Sequence, residues 1–524
     1  MPTLRDVATL ARVSIATVSH VVNKTRRITP ATRVRVEQAI AQLGYVPNSA
    51  GRLLALQKSG NKSLKSAPDE GSKFSEDRSA PFDQYDKSLT DASSHSEASS
   101  LMQADRTSRM LLRLLRAAQP ISRVEIARRF GVRRSVITEL TRPLIAAGIV
   151  REETAQRSTR ASRSVGRPPV GLTLSGEKGL FVGVNIGVRG SQVGITTLGG
   201  EILAEEEFET PTADLKALTL IRTSIERLRN SIPGRPLRMI GVSVPGPTEA
   251  QRRKLLYAPR LGWRDVPVAD SLRFSPEMGV PHAGADVPVV VENDATAAAM
   301  YEARLRLRDT VDGSLDNFVL VRSGTGIGVG LVIDGEVYRG TDHGEGFAGE
   351  FGHMTIVAGG KQCVCGNRGC WESYASASAA SSLYMGDRIK LGAMKAPRYL
   401  EIVARAETGE IRAQRTLERV GEYLGIGIGN VITGLGVPRV IVSGRVVYGW
   451  KFIQHTLREA VGQSMAGKLA GWSVEPGEPR GAGLGGAFEV AVEEYLVSNF
   501  SSSKFSVLGQ PVETSPGVSQ NRAT

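Results

Sequence analysis

The sequence predicts a multidomain protein in which two small, basic, helical modules precede a larger α/β body. Its 524 residues exceed the length of one compact domain. Residues 1–60 carry nine Lys or Arg against two Asp or Glu, and residues 106–170 carry fifteen against four. The stretch between them has five against nine, and residues 171–524 are almost neutral, with 37 against 38. From about residue 178, short apolar strands, Gly-rich turns and amphipathic helices alternate, which indicates an α/β fold.

The composition argues against a membrane-spanning or secreted protein. No apolar run reaches the ~18–20 residues of a membrane span, and the segment from Met1 to Asp6 lacks the apolar core of a signal peptide. We therefore expect a cytoplasmic protein with no membrane partner, associated with the nucleoid if it binds DNA. The basic modules suit nucleic acid, although charge alone fits a solvated surface equally well.

Five segments follow from these shifts in composition. Residues 61–105 are rich in Ser, Asp, Lys and Ala, and their few apolar residues show no periodicity, which is typical of a flexible linker. The predicted boundaries are 1–57 for the first helical module, 58–105 for the linker, 106–175 for the second module, 178–495 for the body and 496–524 for a disordered tail.

The first module reads as three short helices. Leu4–Ala11 has apolar residues on one side, and a turn at Arg12-Val13 follows. Ser14 is a suitable N-cap for a helix over Ile15–Val22, and a third helix is expected over Pro30–Leu43. Two helices joined by a tight turn form a helix-turn-helix, whose second helix fits the major groove of DNA. A small helical bundle without a DNA role is the alternative.

The residues of this module resemble the LacI/GalR family headpiece. The matching runs are Leu4-Arg5-Asp6-Val7-Ala8, Val13-Ser14-Ile15-Ala16-Thr17-Val18-Ser19-His20-Val21-Val22-Asn23 and Gly44-Tyr45-Val46-Pro47-Asn48. The resemblance implies base contacts from Ile15, Ala16 and His20 and phosphate contacts from Ser14, Thr17, Ser19 and Asn23. It also implies a hinge helix whose Leu54 enters the minor groove. Two features depart from the family: Gly51 disfavours that helix by roughly 1 kcal/mol, and the usual periplasmic-binding-protein-like body is absent.

The sequence of the second module predicts three helices and a β-hairpin. The helices are expected over Arg109–Ala118, Ser122–Phe130 and Ser135–Ala147, and the hairpin over 149–174. This arrangement resembles the winged helix-turn-helix of ROK-family repressors, including Gly166-Arg167-Pro168 at the end of the wing. The implied DNA contacts are Arg133, Arg134, Thr138 and Arg142, whose side chains are expected to be exposed, and Arg167, with further arginines at 157, 160 and 163 near the hairpin tip. A winged helix used for protein contacts is the alternative.

The strongest chemical pattern in the body is a set of metal-ligating residue types. His353 is followed by Cys363, Cys365 and Cys370, with nine, one and four residues between successive members, and these are all the cysteines of the chain. One imidazole and three thiols can close a tetrahedral zinc site, and four protein ligands leave no open position. We therefore expect a structural Zn²⁺ rather than a catalytic one.

This cassette, with its surroundings, resembles the ROK family of sugar kinases and repressors. The other matching runs are Val244-Pro245-Gly246-Pro247, Glu292-Asn293-Asp294-Ala295 and Ser323-Gly324-Thr325-Gly326-Ile327-Gly328-Val329-Gly330. The resemblance implies an actin-like ATPase fold, with two α/β lobes around a cleft. It also implies sugar binding by Asn293, Asp294, Glu350, His353 and Glu372. His353 could hold zinc with one ring nitrogen and a sugar hydroxyl with the other.

The positions that serve nucleotide in this family are altered here. Asp294 matches the catalytic aspartate, but the first phosphate loop reads Asn185-Ile186-Gly187-Val188-Arg189 where the family has Asp-x-Gly-x-Thr/Ser. The change to Asn185 removes a charge that helps hold Mg²⁺, and Arg189 replaces a small hydroxyl. Val442-Ser443-Gly444-Arg445-Val446 also departs from the family's Gly-Gly pair. The altered nucleotide site comprises Asn185, Gly187, Arg189, Gly324, Thr325 and Gly326.

These patterns predict a sugar-responsive transcriptional regulator, expected to be a repressor, that is not an enzyme. A sugar or sugar phosphate would close the cleft and alter affinity for a double-stranded DNA operator. Both resembled families suggest a homodimer or higher homo-oligomer. The alternative is an active ATP-dependent sugar kinase that also binds DNA, with Asp294 as its catalytic base. A third possibility, a nucleic-acid scaffold with an inactive body, predicts no sugar binding.

Overall fold

The structure is a computed structural model with side chains. It describes residues 4–14, 17–18, 21, 29–43, 107–154, 170–274, 286–309, 317–340, 347–386, 396–469 and 471–500. The chain divides into two compact units, one comprising 1–109, 123–140 and 502–524 and the other comprising 110–122 and 141–501. Both the predicted linker and the predicted hinge helix with Leu54 lie outside the described residues.

Two of the three helices predicted for the first module are present. Helix α1 spans Leu4–Ala11 and helix α2 spans Pro30–Leu43, with the predicted bounds. They enclose a small apolar core that comprises Val7, Ala8, Ala11, Val18, Val21, Val36 and Ala39. The helix predicted between them falls mostly outside the described residues. Its N-cap is visible, because Ser14 Oγ accepts a hydrogen bond from the backbone N–H of Thr17 at 3.1 Å.

The second module contains the predicted helices and hairpin strands. Helix α3 covers 107–118, and its Leu111, Leu112, Leu114 and Leu115 are buried. The further elements are β1 Ile121–Ser122, α4 Arg123–Phe130, α5 Arg134–Ala146, β2 Val150–Thr154 and β3 Val170–Leu174. The last two helices differ from their predicted bounds by one residue at most. The strands form an antiparallel sheet in the order β1-β3-β2. The hairpin tip, with Arg157, Arg160, Arg163 and Arg167, lies outside the described residues.

The first lobe of the body is built on a five-stranded mixed sheet. Its strands are β4 Leu180–Ile186, β5 Gly190–Thr197, β6 Ile202–Glu209, β7 Leu237–Val244 and β10 Val289–Asn293. A hairpin of β8 Leu255–Ala258 and β9 Trp263–Val266, with helices α6 Asp214–Asn230 and α7 Val268–Ser271, covers one face. The central strand β4 is an almost continuous apolar run because both of its faces are buried. The strand order is β6-β5-β4-β7-β10.

The second lobe repeats this topology. Its strands are β11 Phe318–Ser323, β12 Ile327–Ile333, β13 Glu336–Tyr338, β14 Arg439–Ser443 and β15 Ser473–Pro476. Their order is β13-β12-β11-β14-β15, and in both lobes the first three strands are antiparallel while the first, fourth and fifth are parallel. This duplication confirms the predicted body of two α/β lobes. The carboxyl ends of parallel strands, where ligands bind in such sheets, therefore lie along one edge of each lobe.

The helices from residue 294 onward complete the body. They are α8 Asp294–Asp309, α9 Glu372–Ala375, α10 Ala377–Met385, α11 Tyr399–Glu407, α12 Ile411–Leu435, α13 Trp450–Gln463 and α14 Ala482–Phe500. Short 3₁₀ turns occur at Gly176–Lys178, Glu350–His353, Arg445–Gly449 and Ala466–Lys468. Helix α8 packs on the second sheet, and α14 packs on the first sheet and on α8.

The predicted start of the C-terminal tail is wrong. Helix α14 continues to Phe500 rather than ending at 495. It continues because Leu496, only 4% exposed, extends the apolar face that packs on the first lobe. Among the described residues, no helix is both long enough and apolar enough to cross a bilayer.

Candidate functional site

Three carboxylates converge between the two lobes. Asp294 begins α8 directly after β10, Glu350 lies in the loop after β13, and Glu372 begins α9. Burial and the nearby charges of Asp294 and Glu372 raise the pKa of Glu350 to about 7. The structure thus brings together three of the five residues predicted to bind sugar, as a partly desolvated set of hydrogen-bonding oxygens.

Asp294 is engaged by a cation that the sequence reading did not single out. Arg322, the penultimate residue of β11, donates from Nη1 to Asp294 Oδ2 at 2.5 Å. Both side chains are largely buried, with 28% and 21% exposure. The resemblance implies that Asp294 binds a sugar hydroxyl, and that it would serve as the base only in an active kinase. In the structure one of its oxygens accepts a charge-assisted hydrogen bond instead.

Glu372 is held in place from both lobes. Arg260, between β8 and β9 of the first lobe, donates from Nη2 to Glu372 Oε1 at 2.8 Å. The loop of the second lobe approaches from the other side, where a Cβ added to Gly326 would lie 2.3 Å from Glu372 Oε2. Gly326 therefore allows the backbone to approach the carboxylate. Arg260 was missed because a single arginine in a loop carries no pattern.

The side chain of Asn293 caps the helix that follows it. Its Oδ1 accepts hydrogen bonds from the backbone N–H groups of Ala295 at 2.8 Å and Thr296 at 3.2 Å, which caps the start of α8. Its Nδ2 donates to the carbonyl oxygen of Gly246 at 3.1 Å. The amide side chain is thus fixed at the carboxyl end of β10, immediately beside Asp294.

The four predicted metal ligands meet in a small, partly buried cluster. The ligand atoms of His353, Cys363, Cys365 and Cys370 all lie within 4.8 Å of one another. Cys365 Sγ and Cys370 Sγ are 3.8 Å apart, and Cys363 Sγ is 3.7 Å from His353 Nδ1. Tetrahedral zinc with bonds of about 2.3 Å to sulfur separates two sulfurs by about 3.8 Å. The residues therefore fit a metal ion of this kind.

The surroundings of the cluster hold its thiols in the neutral form. Burial and the neighbouring thiols Cys365 and Cys363 raise the pKa of Cys370 to about 12, and burial also raises the pKa of Cys363. A bound metal reverses this effect because it stabilises the thiolate form. His353 Nε2 lies 3.8 Å from Glu350 Oε2, so the second ring nitrogen faces the carboxylate cluster while the first faces the sulfurs.

The altered nucleotide positions lie near the end of β4, in the turn that follows it and in the turn that follows β11. Asn185 Nδ2 donates to Gln192 Oε1 at 3.2 Å across the β4–β5 hairpin. A Cβ on Gly187 would lie 2.4 Å from the carbonyl oxygen of Gly190, so the tight turn alone requires this glycine. The N–H of Gly324 donates to the carbonyl oxygen of Gly326 at 2.9 Å, with Thr325 between them. Arg189, at the end of the first turn, is exposed.

The described DNA-contact candidates of the second module lie on or beside α5. Arg133, Arg134 and Arg142 are exposed. Thr138, predicted to be exposed, is half-buried, and its hydroxyl donates to the carbonyl oxygen of Arg134 at 3.1 Å. A threonine within a helix often satisfies its hydroxyl in this way.

In the first module, Ser14 and Thr17 lie side by side, with their hydroxyl oxygens 2.9 Å apart. The remaining candidates lie outside the described residues and are Ile15, Ala16, Ser19, His20, Asn23, Leu54 and Arg167.

Both the N-terminal segment and the body of the chain are similar to known proteins. Residues 181–494 match the ROK family, and residues 3–48 match the bacterial regulatory proteins of the lacI family. The xylose repressor of Bacillus subtilis (strain 168) is 30% identical over 368 residues, which cover 69% of this chain and 88% of that protein. A glucokinase of Halalkalibacterium halodurans is 30% identical over 285 residues, covering 51% of this chain and 80% of the enzyme.

A solved structure shares the fold over a longer span. The crystal structure of a ROK family transcriptional regulator, a homologue of the E. coli MLC protein, matches with a TM-score of 0.59 and 24% identity. The match covers 77% of this chain and 98% of that one. The chain therefore belongs to the ROK family and carries a lacI-type helix-turn-helix segment at its N-terminus.

Proposed function

We propose that this protein is a sugar-responsive DNA-binding transcriptional regulator, acting as a repressor, whose body binds a sugar without phosphorylating it. The observation that carries the proposal is the combination of a lacI-type segment with a ROK body in which Arg322 donates a hydrogen bond to Asp294. The similarity of this chain to the xylose repressor of Bacillus subtilis supports the same function.

DNA binding is supported by the arginines beside α5. Arg133, Arg134 and Arg142 are exposed and form no ion pair with any described residue. On the neighbouring α4, by contrast, Glu125 pairs with both Arg128 and Arg129. Exposed guanidinium groups that are not neutralised within the protein are available to DNA phosphates. We assign this module as a winged helix-turn-helix, with α5 as its recognition helix.

Sugar binding is assigned to the carboxylate cluster with Asn293 and His353. Carboxylates accept hydrogen bonds from vicinal hydroxyls, and a zinc-bound imidazole can offer its second nitrogen. Zn²⁺ would be held by His353, Cys363, Cys365 and Cys370. When bound, this ion has a structural role: it fixes the loop from which His353 and Glu350 reach the cleft.

Two positions support the proposed loss of phosphoryl transfer. A general base must receive the proton of a sugar hydroxyl, but the guanidinium of Arg322 already holds Asp294 Oδ2 at 2.5 Å. A Mg²⁺-nucleotide also needs anionic support, and Asn185 is neutral and bonded to Gln192. These observations favour a sensor over the alternative of an active kinase, which the similarity to a glucokinase keeps as the second candidate.

A buried ionic network offers a route from the cleft towards the DNA-binding segments. Glu292, which precedes Asn293, accepts a hydrogen bond from Arg339 at 2.7 Å and forms an ion pair with Arg252 at 3.2 Å. Arg252 also contacts Glu494 on α14 at 2.7 Å. Rearrangement of the cleft would therefore act on α14 through charged groups that cannot easily lose their partners.

The network continues from α14 to α3, the helix that leads into the winged module. Arg113 contacts Glu493 on α14 and Glu336 of the second lobe at 2.9 Å. Arg116 makes two hydrogen bonds to Glu489, at 2.9 and 3.0 Å, and a third to the carbonyl oxygen of Leu198 in the first lobe at 2.7 Å. Helix α3 is thus bound to both lobes, and a change in their separation would reach it.

The test combines DNA binding and catalysis in one preparation. DNA ligands are selected from a random pool with the full chain, and affinity is then measured with and without a panel of sugars. Sugar-dependent ATP consumption is measured in parallel. We expect a sugar-dependent change in affinity with no ATP consumption. ATP consumption that requires the sugar and disappears in Asp294→Asn would instead establish the kinase, and equal DNA affinity with every sugar would refute the sensor.

A further inference from the structure

One ion pair joins the two lobes at a carboxylate of the cleft. Arg260 lies in the turn between β8 and β9 of the first lobe, and Glu372 begins α9 of the second lobe. Their contact at 2.8 Å links side chains that are 27% and 5% exposed. Because the carboxylate is so deeply buried, it needs a partner wherever the lobes stand relative to each other. We call Arg260 and Glu372 the interlobe pair.

The arginine of the interlobe pair is anchored in the first lobe. Ala258, Leu261 and Trp263 of its hairpin belong to the buried core of that lobe. The turn is closed by a hydrogen bond from the N–H of Leu261 to the carbonyl oxygen of Ala258 at 3.0 Å. The indole Nε1 of Trp263 donates to the carbonyl oxygen of Thr212 at 2.7 Å. The backbone of Arg260 therefore moves with the first lobe.

The carboxylate of the pair is anchored in the second lobe. Trp371, which directly precedes Glu372, is buried, and its Nε1 donates to the carbonyl oxygen of Tyr423 on α12 at 2.9 Å. A Cβ added to Gly427 would lie 2.0 Å from the indole ring, so α12 and Trp371 are closely packed. Glu372 therefore moves with the second lobe, and the interlobe pair breaks when the lobes separate at this point.

The carboxylate of Glu372 is covered by its described neighbours. Its Oε1 accepts the hydrogen bond from Arg260 and lies 3.4 Å from Cys363 Sγ. Its Oε2 lies against the backbone of Gly326, where an added Cβ would approach to 2.3 Å, and the same Cβ would lie 3.7 Å from Arg260 Nε. A sugar hydroxyl must therefore take the place of one neighbour. Gly326 is backbone and Cys363 belongs to the metal cluster, so Arg260 is the neighbour that can move.

A second carboxylate of the site also has an arginine partner, but that pair does not join the lobes. Arg322 donates to Asp294, which begins α8. Helix α8 packs on the second sheet, and β11, which contains Arg322, is a strand of that sheet. Among the arginines that contact the three cleft carboxylates in the described residues, only Arg260 therefore couples occupancy of the site to the separation of the lobes.

We propose that Arg260 competes with the sugar for Glu372, so that ligand binding displaces its guanidinium group and releases the β8–β9 hairpin from the second lobe. This inference rests on the proposed function, which assigns sugar binding to Glu372, and adds the residue that opposes binding. The displaced guanidinium has water to enter, because it is already 27% exposed. The interlobe pair thus lowers sugar affinity and makes binding depend on a change between the lobes.

Hydrogen exchange followed by mass spectrometry tests the release, and calorimetry tests the competition. Glucose, mannose and xylose are added in turn to the full chain. Bound ligands usually slow exchange nearby, whereas release of the hairpin predicts faster exchange of the amides in residues 255–266 when a sugar binds.

The matching variant is Arg260→Gln. It should exchange rapidly over residues 255–266 without sugar. It should also bind the sugar roughly tenfold or more tightly than the parent chain, because a hydrogen bond to a charged group no longer opposes binding. Arg264→Gln, which changes an exposed arginine of the same hairpin, is the matched control and should behave as the parent chain does.

Three results would overturn the proposal while leaving the sugar sensor intact. They are slower or unchanged exchange of the hairpin when a sugar binds, equal or weaker sugar binding by Arg260→Gln, and an equal effect of Arg264→Gln. Binding of none of the three sugars by either the parent or Arg260→Gln would overturn both the competition and the assigned sugar site. The exchange measurement on the parent chain decides the matter even if Arg260→Gln does not fold, since it needs no variant.

Discussion

Replacing Arg116 by methionine tests the ionic connection between α3 and the body. The substitution removes two hydrogen bonds to Glu489 and one to the carbonyl oxygen of Leu198, all between 2.7 and 3.0 Å. The pair is buried, with side chains 4% and 7% exposed. Leaving one buried charge without its partner typically costs about 3–5 kcal/mol. Arg304 still pairs with Glu489 at 2.6 Å, so we expect the lower end, about 3 kcal/mol.

The assay is urea unfolding followed by tryptophan fluorescence. The sequence holds four tryptophans, Trp263, Trp371, Trp450 and Trp472, and all of them lie in the body, so the signal reports on that unit. The matched control is Arg253→Met, which breaks an ion pair of the body whose Arg and Asp side chains are 48% and 52% exposed. The control should cost at most about 1 kcal/mol. Equal costs for the two variants would refute the assignment of Arg116 as a buried anchor.

Three further predictions concern pH, metal and DNA. Burial opposes ionisation of Glu489, but its ion pairs, including the one with Arg116, lower its pKa, so their stabilisation is complete above the unfolded pKa of about 4.3 and is lost as pH falls through the folded value. The free energy of unfolding should therefore fall less steeply with acid in Arg116→Met than in the parent protein, and equal dependences on pH would contradict this. Cys365→Ser should lose the one zinc ion expected per chain, as measured by elemental mass spectrometry, and should have a lower melting temperature. An unchanged zinc content would show that Cys365 is not a ligand. Arg134→Gln should weaken binding to all DNA sequences alike and reduce the slope of log affinity against log salt by about 1, and loss of discrimination between sequences alone would show a base contact instead.

The sequence was most informative where local patterns fix structure. Local patterns placed helices α1 and α2 at their observed bounds. The spacing from His353 to Cys370 predicted that one imidazole and three thiols come together, because residues of these types in so short a run are typical of a shared metal ion. Both signals are short-range, so neighbouring residues carry them.

The remainder of the site depends on contacts distant in sequence. Arg322 and Asp294 are 28 residues apart, and Arg260 and Glu372 are 112 apart. Nothing in the local sequence marks either arginine, since each becomes informative only when two separate strands or loops meet. The same holds for Arg116, whose acidic partner Glu489 lies 373 residues away. The half-burial of Thr138 was also missed, because the rotation of α5 is set by packing rather than by its own pattern.

The central claim is that ligand binding in the cleft changes DNA affinity without catalysis. Its most direct test is the dissociation constant of the full chain for its selected DNA, measured by fluorescence anisotropy at fixed salt with no nucleotide present. Each sugar and each sugar phosphate is added in turn. The account predicts that at least one ligand changes the dissociation constant by roughly fivefold or more, the lower limit of typical allosteric coupling. Identical dissociation constants throughout, or a response that appears only when ATP is added and consumed, would contradict it.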